Sequence, residues 1–324
     1  MSLALLFAAP RPAAAYLKFG YTVGGRQVTV KWARFPVSYF VSNSGVPGVT
    51  ATEFQAAVGR AFATWQAVPT SAIMYSFAGF TASRADEGDG RSVLGFLNEP
   101  TQDRVLASTS FLVDDLTGEL LESDIFFNST FPWSVSASGE TGRWDLETIA
   151  LHEIGHFSGL GHSALGETEQ GSSGRRVLSV GAAMFPIALG TGDTSGRKLT
   201  ADDIAGISDL YPDGDFAREK GSVSGRVTKN GAGIFGAHVV AFEPRTGGRV
   251  GTFTLNRNGD FSIAGLSPGV HVIRVEPLDD ADPDSFFDSA APVDINFTAL
   301  FLERLVVVPR AGDSGGIELT VTAK

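Results

Sequence analysis

Cysteine is absent from this 324-residue chain, and histidine occurs only five times. Without cysteine the protein has no disulfides, thiolate metal ligands, cysteine nucleophiles or lipid anchors on cysteine. Basic residues are fewer than acidic ones, 25 against 36, and the net charge of -11 argues against nucleic acid as a partner. Uninterrupted apolar runs of the roughly 20 residues that a membrane helix needs are also missing, so we predict no membrane span.

The first fifteen residues have features of an export signal. Ser2–Ala9 is a short apolar run, and the alanines at 13–15 precede Tyr16 as small residues precede a signal peptidase site. No basic region comes before the apolar run, so a start further upstream and a frayed apolar terminus are the alternatives. We predict that residues 1–15 are the remnant of a signal peptide and that the protein is secreted and extracellular.

The rest of the chain divides into two predicted domains. Strand and helix patterns are mixed over 16–213, whereas 221–324 contains strand and turn patterns only. The polar stretch 214–220 follows a proline that ends a helix, and it is the predicted linker. The expected fold class is therefore α+β, a mixed sheet with helices followed by an all-β sandwich.

Three helices are predicted in the first domain from their capping residues. One follows a capping box of Thr50 and Glu53, the second begins at Asp145, and the third follows a capping box of Thr200 and Asp203. Runs rich in β-branched and aromatic residues predict strands at 28–32, 37–41, 72–77, 105–113 and 120–127. Similar runs in the second domain predict strands at 222–227, 237–242, 250–255, 261–263, 270–275, 302–308 and 317–321.

The most informative stretch is HEIGHFSGLGH, which starts at His152. His152 and His156 are four residues apart on a predicted helix, so their imidazoles can converge on one ion. Gly159 can adopt the positive φ that ends the helix and brings His162 in as a third nitrogen ligand. Three protein ligands leave one position on a zinc ion open for water, which is typical of a catalytic site. Glu153 is the predicted general base that takes a proton from this water, and the predicted reaction is amide hydrolysis.

These eleven residues resemble the zinc-binding consensus of the metzincins, and GLGHS at 159–163 is similar to the matrixin branch, the matrix metalloproteinase-like family, in its bacterial secreted form. AMFP at 183–186 resembles the Met-turn of the family, which implies that Met184 packs beneath the zinc; ordinary core packing is the alternative. LTADDIAGISDLY at 199–211 resembles the last helix of the catalytic domain. The resemblance covers residues 16 to 213 and implies a metzincin catalytic domain with an active-site helix.

The resemblance also implies a strand that binds substrate. The segment containing Leu106 and Ala107 resembles the edge strand of the family, to which an extended protein or peptide adds as an antiparallel strand. In animal relatives this strand and the next one each carry a histidine for a second, structural zinc. Ser108 and Phe126 stand at those two positions, so this chain lacks the ligands of that site.

A calcium site is a further hypothesis from the sequence. Asp86, Glu87 and Asp89 offer the hard oxygen ligands that Ca2+ prefers. A solvated acidic loop is the alternative interpretation of the same residues.

The second domain resembles the carboxypeptidase regulatory-like, transthyretin-like sandwich through GSVSGRV at 221–227 and NGDFSIAGLSPGVHVIRVEP at 258–277. Such a domain is expected to bind a surface, a glycan or another protein. A secreted zinc metalloendopeptidase is the predicted function of the whole chain. One alternative is an adhesin or scaffold whose protease fold has become a binding surface, and another is a metal-dependent esterase or amidase acting on small molecules.

Overall fold

A computed structural model describes residues 18–172, 174–287 and 291–324, and the predicted signal peptide lies outside these ranges. The first part of the chain forms the helices α1 (Ala51–Gln66), α2 (Leu146–Phe157), α3 (Ala201–Leu210) and α4 (Phe216–Glu219). Its strands are β1 (Gly20–Val23), β2 (Arg26–Thr29), β3 (Val37–Ser42), β4 (Tyr75–Thr81), β5 (Val93–Leu97), β6 (Ala107–Val113), β7 (Leu120–Asn128), β8 (Trp133–Ser134), β9 (Trp144–Asp145), β10 (Gly166–Gly171) and β11 (Gly174–Val180).

A mixed five-stranded sheet in the order β4-β3-β5-β7-β6 is the scaffold of the first domain. Four of its strands run parallel, and β6 is antiparallel to β7 at one edge. An edge strand leaves one row of backbone donors and acceptors without a partner in the sheet. Strand β6 is one of the two edge strands of this sheet, so another extended chain can add to it.

Helices α1 and α2 pack against each other. The predicted capping box of Thr50 and Glu53 is confirmed at the start of α1. Apolar residues recur every three or four positions along α1, so they share one face, and this face is buried. Trp65 from this face is fully buried and donates from its indole N–H to the carbonyl of Leu151 in α2, at 2.8 Å. This contact fixes the middle of α2 against the domain core.

The second domain consists of strands in two sheets. Its strands are β12 (Gly221–Lys229), β13 (Ala232–Gly233), β14 (His238–Phe242), β15 (Arg249–Phe253), β16 (Asp260–Leu266), β17 (Gly269–Glu276), β18 (Leu300–Phe301), β19 (Val306–Val308) and β20 (Asp313–Val321). One sheet has the order β13-β12-β16 with β20 parallel to β12, and the other has the order β15-β14-β17-β18 with β19 also on β17. Alternate residues of β17 and of the second half of β20 are buried, as expected for an all-β domain with an apolar core.

The two domains pack closely, and one cluster of buried apolar residues extends through both. A Cβ atom at Gly265 of β16 would come within 2.7 Å of the Ala205 Cβ in α3, so glycine permits this close approach. Asp202 of α3 accepts a 2.8 Å hydrogen bond from the backbone N–H of Gly251 in β15. The predicted linker 214–220 contains α4, and its Phe216 is buried. We retain 16–213 and 221–324 as the proposed domain bounds.

Several predicted elements need correction. The strand β5 was not predicted, and neither was the hairpin of β10 and β11, which carries many polar residues. The strand predicted for 302–308 is too long, because only β19 lies within this range. Strand β18 precedes the range and pairs with a different part of β17. Within the described residues, none of the helices combines the length and the apolar character that crossing a membrane demands.

Candidate metal centre and active-site cleft

Helix α2 presents the first two histidines of the motif. Its predicted N-cap is confirmed, since the Asp145 carboxylate accepts a 2.8 Å hydrogen bond from the Thr148 N–H. Arg197 holds this carboxylate through Nε at 3.0 Å. A capped first turn stabilises a short helix, and two histidines four residues apart then face the same way. His152 and His156 therefore lie one turn apart beside the cleft.

Gly159 reverses the chain after α2. Its φ of +98° confirms the predicted left-handed conformation, which side chains other than glycine rarely adopt. A Cβ atom here would lie 2.5 Å from the carbonyl oxygen of Val30. The turn directs the following residues back towards the helix, which places His162 next to His156.

The structure brings the three histidines into one cluster. Nε2 of His156 lies 3.1 Å from Nε2 of His152 and 3.1 Å from Nε2 of His162. Among the described residues, this is the group of metal-ligating side chains whose ligand atoms all lie within 4.8 Å of one another. Three imidazole nitrogens at this spacing are a donor set that suits zinc.

The other ring nitrogen of each histidine faces a backbone carbonyl. Nδ1 of His152 donates to Ala183 O and Nδ1 of His156 donates to Leu160 O, both at 2.8 Å, while Nδ1 of His162 donates to Ser285 O. Because a carbonyl only accepts, each Nδ1 carries the proton and each Nε2 keeps a free lone pair. The three lone pairs are thus available to one ion, and the residues fit a zinc site.

Burial keeps these imidazoles neutral. Desolvation, assisted by the neighbouring His162, lowers the pKa of His152 to about 3. Desolvation also holds the pKa of His156 well below its usual value and lowers the pKa of His162. A neutral imidazole is the form that binds a metal ion.

Glu153 of α2 reaches strand β6. Its side chain is only 5% exposed, and its Oε2 accepts a 2.7 Å hydrogen bond from the Thr109 hydroxyl. Desolvation raises the pKa of Glu153 to about 7, and the bond from Thr109 acts in the opposite direction. Thr109 was missed by the sequence analysis, because a threonine in a strand carries no motif of its own.

Met184 packs against Gly155, which lies between His152 and His156 in α2. It is 3% exposed, and a Cβ atom added to Gly155 of α2 would collide with its sulfur at 2.1 Å. Asp203 of α3 accepts hydrogen bonds from the backbone N–H groups of Ala183 at 2.9 Å and Met184 at 3.1 Å. The turn below the histidines is therefore held from α3, a contact that the sequence pattern did not indicate.

The histidines lie in a large cleft of about 1240 Å3. Leu106 and Ala107 line one side of it, next to the edge of β6. The loop at 185–190 also lines the cleft. Ser108 and Phe126, which the resemblance places at the positions of the structural-zinc histidines, are register partners on β6 and β7 and lie side by side.

The acidic loop of the calcium hypothesis is engaged in local contacts. Asp86 pairs with Arg84 at 2.8 Å, and Asp89 accepts a 3.0 Å hydrogen bond from the hydroxyl of Ser83. The hydrogen bond from Arg84 lowers the pKa of Asp86. A calcium ion at this loop stays a prediction.

Comparisons with known proteins agree with the two-domain architecture. The family described as Matrixin matches residues 31–212, and the family described as Carboxypeptidase regulatory-like domain matches residues 222–281. Stromelysin-1 of Mus musculus is 26% identical over 184 residues, covering 56% of this chain and 33% of the relative. Karilysin of Tannerella forsythia is 27% identical over 187 residues, with the same 56% and 33% coverage.

A plant relative shows a shorter and stronger match. Metalloendoproteinase 5-MMP of Arabidopsis thaliana is 42% identical over 81 residues, which cover 24% of this chain and 18% of the relative. The chain thus spans about one third, or less, of the length of these curated relatives. The match over residues 31–212 nevertheless includes more than half of the chain, and the protein belongs to the matrixin family, whose members are zinc metalloendopeptidases.

Proposed function

We propose that the chain is a zinc-dependent endopeptidase that hydrolyses peptide bonds in extended polypeptides. The observation that carries this proposal is the convergence of three Nε2 atoms next to the buried carboxylate of Glu153. Both features lie in a cleft bordered by the edge strand β6. A metal site, a base and a strand-shaped binding edge are the three parts that such an enzyme needs.

His152, His156 and His162 would hold the zinc ion through their Nε2 atoms. When bound, zinc supplies a Lewis acid that polarises the peptide carbonyl and lowers the pKa of water. Glu153 accepts a proton from the attacking water and later delivers it to the leaving amine nitrogen. The buried position of Glu153 supports this role, because an environment that raises the pKa of a carboxyl group towards 7 suits a group that both takes and gives a proton.

The substrate in this proposal binds as an extended chain along β6. An antiparallel strand would form backbone hydrogen bonds beside Leu106 and Ala107, which line the cleft. Phe185, Ile187 and Leu189 also line the cleft, so apolar substrate side chains fit against them. The loop 184–191 would therefore set the side-chain preference.

The adhesin or scaffold alternative predicts that a metal ligand or the base has been lost. All three histidines and Glu153 are present and converge, which argues against it. The alternative of a small-molecule esterase or amidase needs no long binding edge. Six consecutive residues, 104–109, line the cleft, which favours a polymer substrate over a small one.

Secretion remains our proposal and rests on the apolar and alanine-rich residues 2–15. It is tested by N-terminal sequencing of protein collected outside the cell. A mature chain starting within a few residues of Tyr16 supports export, and a chain that stays inside the cell with Ser2–Ala9 intact contradicts it.

The peptidase proposal is tested by cleavage of unfolded casein with and without a zinc chelator. Glu153→Ala should still bind zinc and should lose cleavage, whereas the control Glu169→Ala, an exposed glutamate paired with Arg176, should cleave normally. Cleavage that survives both the chelator and Glu153→Ala rules out the mechanism. A wild-type protein that binds zinc but cuts neither casein nor a diverse peptide library would contradict the assignment as an endopeptidase.

A further inference from the structure

A loop of the second domain reaches into the cleft of the first. We define the clasp loop as residues 279–287, which follow β17 and include the short 3₁₀ turn Pro283–Ser285. The carbonyl oxygen of Ser285 in this loop accepts the hydrogen bond from Nδ1 of His162. Asp282, Asp284 and Phe286 also line the cleft. The second domain therefore contributes directly to the surroundings of the candidate metal centre.

With the carbonyl of Ser285, each of the three histidines has one backbone carbonyl as the partner of its Nδ1 atom. The carbonyls that orient His152 and His156 belong to Ala183 and Leu160 of the first domain, whereas the carbonyl that orients His162 comes from a residue 123 positions later in the chain. Removing a hydrogen-bond partner of a metal-binding histidine typically weakens metal binding by 10- to 100-fold. The orientation of His162 thus depends on where the second domain places the clasp loop.

The hairpin of β10 and β11 in the first domain holds the start of the clasp loop. Arg175 donates from Nη1 to the carbonyl of Asp279 at 2.9 Å and to the hydroxyl of Thr168 at 2.8 Å. The hydroxyl of Thr168 in turn donates to the carbonyl of Asp280 at 2.6 Å, and its backbone N–H donates to the Asp280 carboxylate at 2.8 Å. These bonds join the hairpin to the first two residues of the clasp loop.

Aromatic packing holds the end of the clasp loop. The ring of Phe286 lies 5.5 Å from that of Phe253, and the ring of Phe287 lies 5.3 Å from it. Phe253 belongs to β15 of the second domain and is fully buried, in a cluster that also contains Ala164, two residues after His162. Phe286 also contacts the first domain, because its ring lies 6.2 Å from the imidazole of His162. The loop is therefore fixed at both ends around Ser285.

We propose that the second domain is a working part of the active site, in which the Ser285 carbonyl positions His162 and Phe286 forms one wall of the substrate cleft. Ser285 is a positioning residue, because it acts on the metal site through His162. This inference rests on the proposed function for the role of zinc, but the orientation of His162 is a property of the metal-free protein too. The carboxypeptidase regulatory-like domain is then more than an appended binding module.

The test loosens the clasp loop without changing a metal ligand. Arg175→Ala removes the bonds to Asp279 and Thr168, and the control Arg176→Ala changes the neighbouring arginine, which pairs only with Glu169 at the surface. Thr168→Val removes the hydrogen bond from the hydroxyl to Asp280 and retains the side-chain shape. It is the second variant that loosens the clasp loop, to be used if Arg175→Ala does not fold. The readouts are the histidine tautomers by 15N NMR of the metal-free full-length chain, the zinc affinity, and the visible spectrum of the cobalt-substituted protein.

We expect the wild type and Arg176→Ala to show His162 with its proton on Nδ1. Arg175→Ala or Thr168→Val should show a mixture of tautomers, about tenfold weaker zinc binding and an altered cobalt spectrum. A His162 tautomer and a zinc affinity that match the wild type in both loosened variants would overturn the proposal. A wild-type protein that binds no zinc would contradict the proposed function, and the tautomer measurement would still decide the role of the clasp loop.

Discussion

Thr109 on the edge strand β6 donates a 2.7 Å hydrogen bond to the carboxylate of Glu153 on α2. The strand proposed to bind substrate and the helix that carries the proposed base are therefore joined directly. The same hydroxyl lies 3.2 Å from the backbone carbonyl of Glu153. This pair of contacts fixes the base at a set position relative to a peptide on β6.

Replacing Thr109 by valine should slow the chemistry without weakening substrate binding. The side-chain shape is retained and the donor to Glu153 is lost, and a hydrogen bond to a charged group contributes about 1.5–3 kcal/mol. We expect kcat to fall about tenfold or more, with KM almost unchanged. Steady-state kinetics on a peptide measures both constants. Thr109→Ser retains the hydroxyl and should stay near wild type, and equal kinetics for the serine and valine variants would contradict this role.

Replacing Asp203 by asparagine should loosen the turn that contains Met184. The carboxylate accepts from the N–H groups of Ala183 and Met184 and from both the N–H and the hydroxyl of Thr200. An amide nitrogen cannot accept, so at least one buried donor loses its partner. We expect the free energy of unfolding to fall by about 1–3 kcal/mol, measured by urea denaturation.

The control for this prediction is Asp215→Asn. Asp215 is exposed and pairs with the exposed Arg218, so its replacement should leave the urea midpoint within error of wild type. If the Asp203 variant unfolds at the same urea concentration as this control, the turn does not depend on α3.

Asp202 should make the protein less stable as the pH rises. Desolvation, followed by repulsion from Asp203, raises the pKa of Asp202 to about 7 from an ordinary value of 3.8. The folded state therefore binds the proton more tightly than the unfolded state, so this contribution to stability is complete below pH 3.8 and is lost as the pH rises through 7. One pKa unit corresponds to about 1.4 kcal/mol.

Asparagine at position 202 tests this pH dependence. Its amide oxygen can still accept from the Gly251 N–H, and its NH2 group can donate to the hydroxyl of Ser163. We expect Asp202→Asn to gain stability relative to the wild type between pH 5 and pH 8, as measured by denaturant unfolding at each pH. Since other titrating groups are common to both proteins, a difference that is constant with pH would show that the pKa of Asp202 is not raised.

Replacing Gly159 by alanine should displace His162. The positive φ and the 2.5 Å approach to the Val30 carbonyl both exclude a Cβ atom. We expect the variant to bind zinc at least tenfold more weakly and to unfold at a lower temperature. Gly214→Ala is the control, because a Cβ there meets nothing within 4 Å. Zinc titration and thermal unfolding give the two readouts, and a variant with normal zinc affinity would show that His162 does not depend on this turn.

Local patterns were sufficient for the helices and for the turn of the metal motif. The capping residues Thr50, Glu53 and Asp145 predicted where α1 and α2 begin, because a cap is made by residues within one helical turn. The positive φ at Gly159 was predictable for the same reason, since it depends on the residue itself. A mixed central sheet was predicted, but not all of its strands. The buried strand Val93–Leu97 was missed because a short apolar run lacks the alternation of a half-exposed strand.

Contacts between distant parts of the chain could not be predicted from the local sequence. Thr109 and Glu153 are 44 residues apart, and His162 and Ser285 are 123 residues apart. In each pair the contact depends on how separate elements pack, and a carbonyl group is offered by every residue type. The hairpin of β10 and β11 was missed because its polar side chains hide the strand pattern.

The last strand of the chain, β20, lies parallel to β12 and pairs residues such as Ser222 and Asp313. Ser222 and Asp313 are 91 positions apart, so the sheet of β12 is complete only when a distant segment has joined it. A pairing over such a separation in sequence forms slowly compared with a local hairpin. The second domain therefore cannot close before β20 has been synthesised, and the loop that touches His162 belongs to that domain. Until β20 has paired with β12, we expect His162 to lack its contacts with Ser285 and Phe286.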